Sequence, residues 1–271
     1  MEGLNHQVCK KYVDILRNKT GIYLDGNKEH LVQAKILKLL MRRQVADAKK
    51  HLQLIGEQQD KVEVQEFINI MTTNTTEFFR ENNHFEYLKN DFPFILKKNP
   101  RINTNKELRI WSAGCSSGQE PVTIAMVFKE LLSDEFDIRI LATDISTKVL
   151  NKAASGVYSQ NECQGIPKNF LLKYFSKTSE GYKVKEEILN MIKYRVFNLM
   201  NEYKFKHGFD IIFCRNVMIY FDQNTQQELV SRFHRAMVPG GLLLIGHSES
   251  LISKKHEFEY YKPSIYMKKP I

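Results

Sequence analysis

Gly114 and Gly118, separated by Cys115-Ser116-Ser117, follow the apolar residues Ile110, Trp111 and Ala113 and precede Gln119-Glu120-Pro121. The pattern is that of a buried strand that breaks into a small-residue loop and opens a helix, a junction where backbone can approach a ligand closely. Its spacing narrows the chemistry. A dinucleotide fingerprint needs G-x-G-x-x-G, and a P-loop needs Lys-Ser or Lys-Thr after its last glycine; the chain has neither here. The next apolar run, Asp137 to Thr143, ends in Asp144, where a doubly wound sheet holds ribose hydroxyls with a carboxylate. Together these features suggest a nucleoside without a pyrophosphate, and S-adenosylmethionine is the commonest ligand of that kind. Taken singly, the glycines also suit a tight turn, and Asp144 also suits a cap on a helix beginning near Ser146. Their order on successive strands favours binding.

Two further segments fall at strand ends, where open α/β sheets bind ligands: Phe197-Asn198-Leu199, and Cys214-Arg-Asn-Val-Met-Ile-Tyr-Phe-Asp222. Asn198 and Asn216 are candidates for hydrogen bonds to an adenine edge or a methionyl end. An Asn after a strand is equally a turn residue. Asn74-Thr-Thr-Glu-Phe-Phe-Arg80, ahead of the first strand, is a third polar segment able to reach the same place.

The elements that must position these residues fall into two regimes. From Leu4 to about Ile70 the apolar residues recur at helical spacing, which predicts three or four short helices with Gly21 to Asn27 and Gly56 to Lys61 as connections. A further helix is expected over 82–97 and a loop over 100–106. From Leu108 onward strands alternate with helices, the signature of a mostly parallel sheet with covered faces. Strands are expected at 108–113, 138–143, 193–197, 209–214, 241–246 and 264–268, and helices at 119–132, 146–154 and 224–237. About forty residues between Ala154 and Tyr194 exceed an ordinary crossover. Either Leu171–Thr178, Gly181–Lys185 and Met191–Phe197 pair as a small antiparallel sheet, or the crossover is elongated with one helix at 167–174. The first is preferred, giving a helical domain at 1–72, a pocket-covering linker at 73–106, and a sheet domain at 107–271 with an inserted β-subdomain at about 170–197.

With 42% apolar and 26% charged residues, the 271-residue chain has the balance of a folded globular protein. No apolar run approaches the ~20 residues that cross a bilayer, and the amino terminus lacks a basic stretch followed by an apolar core, so a cytoplasmic location is expected. Cys9, Cys115, Cys163 and Cys214 are scattered and form no metal-binding pattern, which predicts reduced thiols and no metal. Cys115 and Cys214, in or beside pocket loops, are candidates for alkylation. The net charge of +9 raises the question of an anionic partner. Lys28, Lys35, Lys38, Arg42 and Arg43 surround apolar Leu31, Ile36, Leu39 and Leu40, which gives one helix a core face and a basic face. That is an ordinary solvated face, or a surface for an acidic helix or phosphates. No RNA-binding aromatic signature or Arg-rich arm accompanies it. No long apolar surface demands a dimer, so a monomer is expected.

Asn-x-Thr-x-Phe-Phe-Arg at 74–80, Ser-Ala-Gly-Cys-Ser-Ser-Gly-Gln-Glu-Pro at 112–121, Ala-Thr-Asp-Ile-Ser at 142–146 and Phe-Cys-Arg-Asn-Val-Met-Ile-Tyr-Phe at 213–221 together resemble the CheR chemotaxis receptor methyltransferases. The match runs in order over nearly the whole chain. It implies a Rossmann-like S-adenosylmethionine-dependent methyltransferase sheet with an inserted antiparallel β-subdomain, preceded by a small all-α domain. It also implies methyl transfer to glutamate side chains on the cytoplasmic helices of chemoreceptors. Carried over by motif, the resemblance implies cofactor contacts at Asn74, Thr76, Arg80, Ala113, Gly114, Glu120, Asp144, Ile145, Asn198, Leu199, Cys214, Arg215 and Asn216. It suggests Arg80 and Tyr220 at the reacting end. Glu120 is a partner for a methionyl ammonium, or a favourable charge in a helix's first turn.

Such a reaction asks for no base, because a glutamate with a reference pKa of ~4.3 is already an anion at neutral pH. It asks for aim and dryness: a carboxylate oxygen held in line with the methyl at about 3 to 3.5 Å, with water removed from both charges. Family members that grip the receptor's carboxyl terminus do so with a longer, glycine-containing loop in the small sheet. Ser176-Lys-Thr-Ser-Glu-Gly-Tyr182 is short with only Gly181, which favours direct recognition of the receptor bundle through Lys35, Lys38, Arg42 and Arg43. Competing readings are a same-fold methyltransferase acting on nucleic acid or a small molecule, and a non-catalytic module that senses S-adenosylmethionine. Nucleic acid and membrane insertion are the less favoured partners.

Overall fold

The computed structural model describes residues 4–24, 29–45, 47–57, 59–252 and 254–270. Lys28, residues 25–27 and 58 of the two expected connections, and residues 1–3 lie outside the described residues. Helices α1 (His6–Thr20), α2 (Glu29–Arg42), α3 (Ala48–Gly56) and α4 (Lys61–Met71) form an amino-terminal bundle. Three of them begin on side-chain caps: Asn5, Asp47 and Asp60 each accept from backbone N–H groups of the following turn. Their apolar faces meet around Tyr12, Leu16, Ile36, Leu39, Ile55 and Phe67, all buried.

Helix α5 (Asn83–Lys98) leads to α6 (Pro100–Asn105), where the sequence pattern suggests only a loop. Pro100 at the first turn starts that short helix and Lys106, at φ 49°, ends it. The sheet then follows: β1 (Glu107–Ala113), α7 (Gln119–Leu131), β2 (Asp137–Asp144) and α8 (Thr147–Ser155). Next come β3 (Val157–Tyr158), α9 (Lys168–Tyr174), β4 (Phe175–Thr178), β5 (Gly181–Val184) and α10 (Glu186–Leu189). The chain closes with β6 (Ile192–Val196), β7 (Phe209–Cys214), α11 (Gln223–Ala236), β8 (Met237–Ile245), β9 (Phe258–Lys262) and β10 (Ile265–Lys268).

The large sheet has the order β6-β2-β1-β7-β8-β10-β9, with β10 antiparallel to both neighbours and the other pairs parallel. The chain moves outward from β1 through β2 to β6 and then returns to the other side of β1 with β7. That reversal opens a crevice at the carboxyl ends of β1 and β7. Strand alternation splits the core in two. Ile110, Ile211 and Phe213 face a cluster with α5 and α7, whereas Trp111, Ala113, Ile212 and Cys214 face one with α11.

The small sheet has the order β3-β5-β4 and is antiparallel. It corrects one expectation: residues 192–196 do not join it but pair with β2, in parallel, as the edge of the large sheet. Their place in the small sheet is taken by Val157–Tyr158. The helix at 168–174 and the hairpin at 175–184 coexist, so the two alternatives read from the pattern were not exclusive. The bundle docks on the large sheet through α4. Asn69 Oδ1 accepts from Ser146 Oγ at 2.9 Å, and Gln65 Nε2 donates to Ile145 O at 3.1 Å. Among the described residues no helix is long and apolar enough to cross a membrane.

Candidate active site

A cavity of about 770 Å³ opens at the carboxyl ends of β1, β2 and β7 and extends to the face of α2. One side of its floor is the glycine loop. Gly114, at φ 86°, lies so close to Val217 that a Cβ there would collide with it. Gly118, at φ 93°, leaves no room for a Cβ between Ala153 and the Tyr158 hydroxyl, which itself donates to Ser117 O at 2.9 Å. The small sheet thereby braces the loop from behind. Phe78 and Phe79 anchor the segment after α4, the first edge-on to Tyr158 and Phe175 and the second to Phe170, leaving Asn74, Thr76 and Arg80 on the cavity.

Asp144 ends β2 with both oxygens turned to backbone donors, Ser116 N and Ser146 N, each at 2.9 Å. Burial raises its pKa, and those backbone bonds oppose the rise. Glu120 accepts from Ser112 Oγ at 2.6 Å and meets Arg215 Nη1 at 3.4 Å. Burial raises its pKa too, against the pull of Arg215 and Ser112. Both carboxyls line the cavity, and a cation or hydroxyl donor there would favour their ionised forms. Arg215 is 6% exposed and bridges Glu120, Glu81 and the Arg80 carbonyl, so it stitches the cavity wall together. Asn216 Nδ2 donates to Glu81 Oε1 at 3.2 Å while its Oδ1 is buried with no partner among the described residues.

Arg80 uses one N–H on Thr75 O at 3.1 Å, which leaves most of its fork facing the cavity. Tyr220 lines the same cavity; burial raises the phenol's pKa, and the Arg80 charge opposes this. Asn198 is less free than its type suggests: Nδ2 donates to Lys19 O at 2.6 Å and Oδ1 accepts from Met200 N at 2.9 Å. Ile145 and Leu199 add apolar walls.

The cavity therefore gathers Asn74, Thr76, Arg80, Gly114, Glu120, Asp144, Ile145, Asn198, Leu199, Arg215, Asn216 and Tyr220. It does not gather Ala113 or Cys214. Strand alternation turns both into the Trp111 cluster, and burial holds the Cys214 and Cys115 thiols well above their usual pKa, which argues against the expected alkylation of either. The basic face of α2 also divides. Lys35 and Lys38 line the cavity, with Lys35 Nζ bonded to Met71 O at 2.8 Å and its pKa lowered by burial. Arg43 pairs with Glu63, and Arg42 lies 4.0 Å from Glu66. Pattern reading placed the α1–α2 connection but not its contact with the site, where Tyr23 N donates to Tyr220 O at 2.8 Å; a backbone contact leaves no mark on residue type. It also missed Ser116, which donates to Asn74 O at 2.9 Å and whose φ of 49° is unusual for a residue other than glycine. Glu81, His84 and His247 bring possible ligand atoms within 4.8 Å of one another, but Glu81 already accepts from Arg215, Asn216 and His247 N.

A glycine loop on β1 and an acid at the end of β2, facing one cavity at the sheet's reversal point, are the arrangement expected of an S-adenosylmethionine-dependent methyltransferase. Comparison with known families agrees. Residues 74–267 match the family described as "CheR methyltransferase, SAM binding domain", and residues 9–72 match "CheR methyltransferase, all-alpha domain". The chain belongs to the CheR methyltransferase family. It is 38% identical to a chemotaxis protein methyltransferase of Borreliella burgdorferi, over 98% of this chain and 97% of that protein. It is 35% identical to a chemotaxis protein methyltransferase of Escherichia coli, over 95% and 89%. S-adenosylmethionine fits the donor set: two carboxyls whose pKa burial raises, an orphaned amide oxygen on Asn216, and apolar walls at Ile145 and Leu199.

Proposed function

We propose that the protein esterifies glutamate side chains on the cytoplasmic helices of chemoreceptors, giving glutamate methyl esters in chemotactic adaptation. The observation that carries this reading is that Arg80 and Tyr220 line one cavity that no histidine or cysteine lines among the described residues. Methylation of an amine or a hydroxyl is helped by a group that takes a proton, whereas a carboxylate arrives without one. Bound in the cavity, S-adenosylmethionine supplies an electrophilic methyl group on a sulfonium. Asp144 would accept from ribose hydroxyls, and Glu120 with the Asn216 amide oxygen would accept from an ammonium. Arg80 then holds the incoming carboxylate through its fork of donors, and the Tyr220 hydroxyl fixes its orientation without taking a proton. Ile145, Leu199 and Phe197 keep water from the meeting charges.

The cavity's mouth supports a protein substrate. Tyr23, Leu31 and Ile219 line it while 47%, 53% and 49% exposed, and Lys38 stands among them. An apolar rim with a cation suits an amphipathic acidic helix better than a free small molecule. The β4–β5 connection is a two-residue turn, Ser179-Glu180, which supports direct recognition of the receptor without a tether to its tail. The test is to incubate the protein with methyl-labelled S-adenosylmethionine and either a chemoreceptor cytoplasmic fragment or RNA. Label that enters the receptor and is released as methanol by mild base is expected. Base-stable label, or label in RNA alone, overturns the reading.

A further inference from the structure

Glu249 lies beyond β8, in the turn closed by its own N–H on Gly246 O, and its carboxylate is wholly engaged with backbone donors. Oε2 accepts from Gly246 N at 2.6 Å and Asn216 N at 3.0 Å. Oε1 accepts from Val217 N at 3.0 Å and Ile219 N at 3.2 Å. Among the described residues it pairs with no cation. Three of its four donors belong to the loop that follows β7, and that loop turns through Asn216 at φ 57° into the 3-10 turn Met218–Tyr220. The same loop places Val217 on Gly114 and Tyr220 on the cavity.

We infer that Glu249 is a positioning residue: its carboxylate fastens the 216–219 backbone to the end of β8 and so sets where the Tyr220 hydroxyl stands. The inference rests on the role given to Tyr220 above. The requirement is for a carboxylate in particular, since each oxygen faces two N–H groups and neither faces an acceptor. An amide placed there turns two of its own N–H bonds toward two others, so Gln releases one half of the clasp whichever way it is flipped. Asp keeps both acceptors on a shorter stem.

The test measures kcat and KM for methylation of a chemoreceptor cytoplasmic fragment with labelled S-adenosylmethionine. It compares Glu249→Gln, Glu249→Asp, Tyr220→Phe and the Glu249→Gln, Tyr220→Phe pair, with thermal unfolding and deuterium exchange of the 214–222 segment for each. A displacement of about 1 Å at a reacting group costs up to ~100-fold, so Glu249→Gln is expected to lower kcat by roughly 10- to 100-fold. Loop amides should exchange faster, the KM for S-adenosylmethionine should change less than kcat, and Asp should recover part of the loss. The pair should be little slower than the slower single variant, because both substitutions remove one function. Full turnover in Glu249→Gln overturns the inference, and so do losses that multiply in the pair. If Glu249→Gln fails to fold, Glu249→Asp carries the same comparison. A silent Tyr220→Phe variant beside a slow Glu249→Gln with faster loop exchange instead overturns the role of Tyr220 and supports the clasp.

Discussion

Arg80 and Tyr220 have to grip a carboxylate without trapping it. A charge-assisted bond that is as strong in the bound substrate as at the point of transfer adds affinity and no rate. Arg80 meets this demand by being only partly committed: one N–H is tied to Thr75 O, and the rest of the fork can follow the carboxylate as its charge is neutralised. Tyr220 is protonated at neutral pH, and burial raises its pKa further, so it donates to the substrate oxygen and takes no proton. Removing a hydrogen bond to a charged group costs about 1.5–3 kcal/mol, which converts to roughly 10- to 100-fold. Arg80→Ala and Tyr220→Phe should therefore lower turnover on a receptor fragment by about that factor, while calorimetry finds S-adenosylhomocysteine affinity within ~3-fold of the parent protein. Weaker binding of S-adenosylhomocysteine with unchanged turnover would move the residue from the reacting end to the cofactor's cradle. For Arg80 that is a sharp alternative, because motif resemblance gives it both roles.

The basic face of helix α2 serves two purposes, and the sequence shows them as one. Ile36, Leu39 and Leu40 enter the bundle core, while Lys35 bends back onto the Met71 and Thr72 carbonyls and closes the cavity wall. With Arg43 tied to Glu63 and Arg42 only at 4.0 Å from Glu66, Lys38 and Arg42 are the α2 cations among the described residues most open to an acidic partner, beside exposed Leu31 and Met41. Charge reversal at Lys38 and Arg42 is thus expected to lower kcat/KM for a receptor fragment by about 10-fold at low salt, with the gap closing as salt screens the encounter. Cofactor binding should be untouched. The same reversal at Lys35 should instead weaken cofactor binding, since it places a carboxylate against two carbonyls; if Lys35→Glu behaves like Lys38→Glu, the division of the helix is refuted. Legibility in the chain follows the same physics. The strand at 209–214 is a buried parallel strand, written as an apolar run broken only by Asp210, and Gly114 and Asp144 mark the carboxyl ends of β1 and β2 on one side of it. Edge strand β6 reads ambiguously because Lys193, Arg195 and Val196 face outward and its partner is chosen by the sheet, not by its own pattern. Glu249 accepts from backbone N–H groups and Tyr23 donates its own, and because every residue but proline carries that group, the partners leave no mark in the sequence.

The bundle and the sheet domain meet at places that serve the cavity. Asn69 and Gln65 hold the start of α8 beside Asp144, Arg17 meets Asp222 at 2.6 Å, and Tyr23 strings the α1–α2 connection onto the Tyr220 backbone. Each part also buries a neutral histidine. His51 sits between the Tyr12 hydroxyl at 3.0 Å and Glu63, its pKa lowered by burial against the pull of Glu63. His84 lies near Arg215, its ring nitrogens without hydrogen-bond partners among the described residues although Nδ1 stands 3.7 Å from Glu81, and burial with the Arg215 charge pushes its pKa down to about 3. An unfolded histidine takes its proton near pH ~6.5, so as pH falls below that value the unfolded state binds a proton that folded His84 refuses. Its stabilising contribution is complete above ~6.5 and drains by about 1.4 kcal/mol per pH unit toward pH 3. The raised pKa values of Glu120, Asp144 and Glu249 act in the opposite sense, because these folded carboxyls take up protons before unfolded ones do. A difference measurement separates the two. Between pH 6 and pH 5, urea unfolding of the parent protein should lose about 1.2 kcal/mol more than unfolding of His84→Gln, whose side chain does not titrate. Parallel stability profiles for the two proteins across that interval would show that His84 takes up its proton in the folded state, and that the Arg215 and Glu81 wall around it opens more readily than its burial implies.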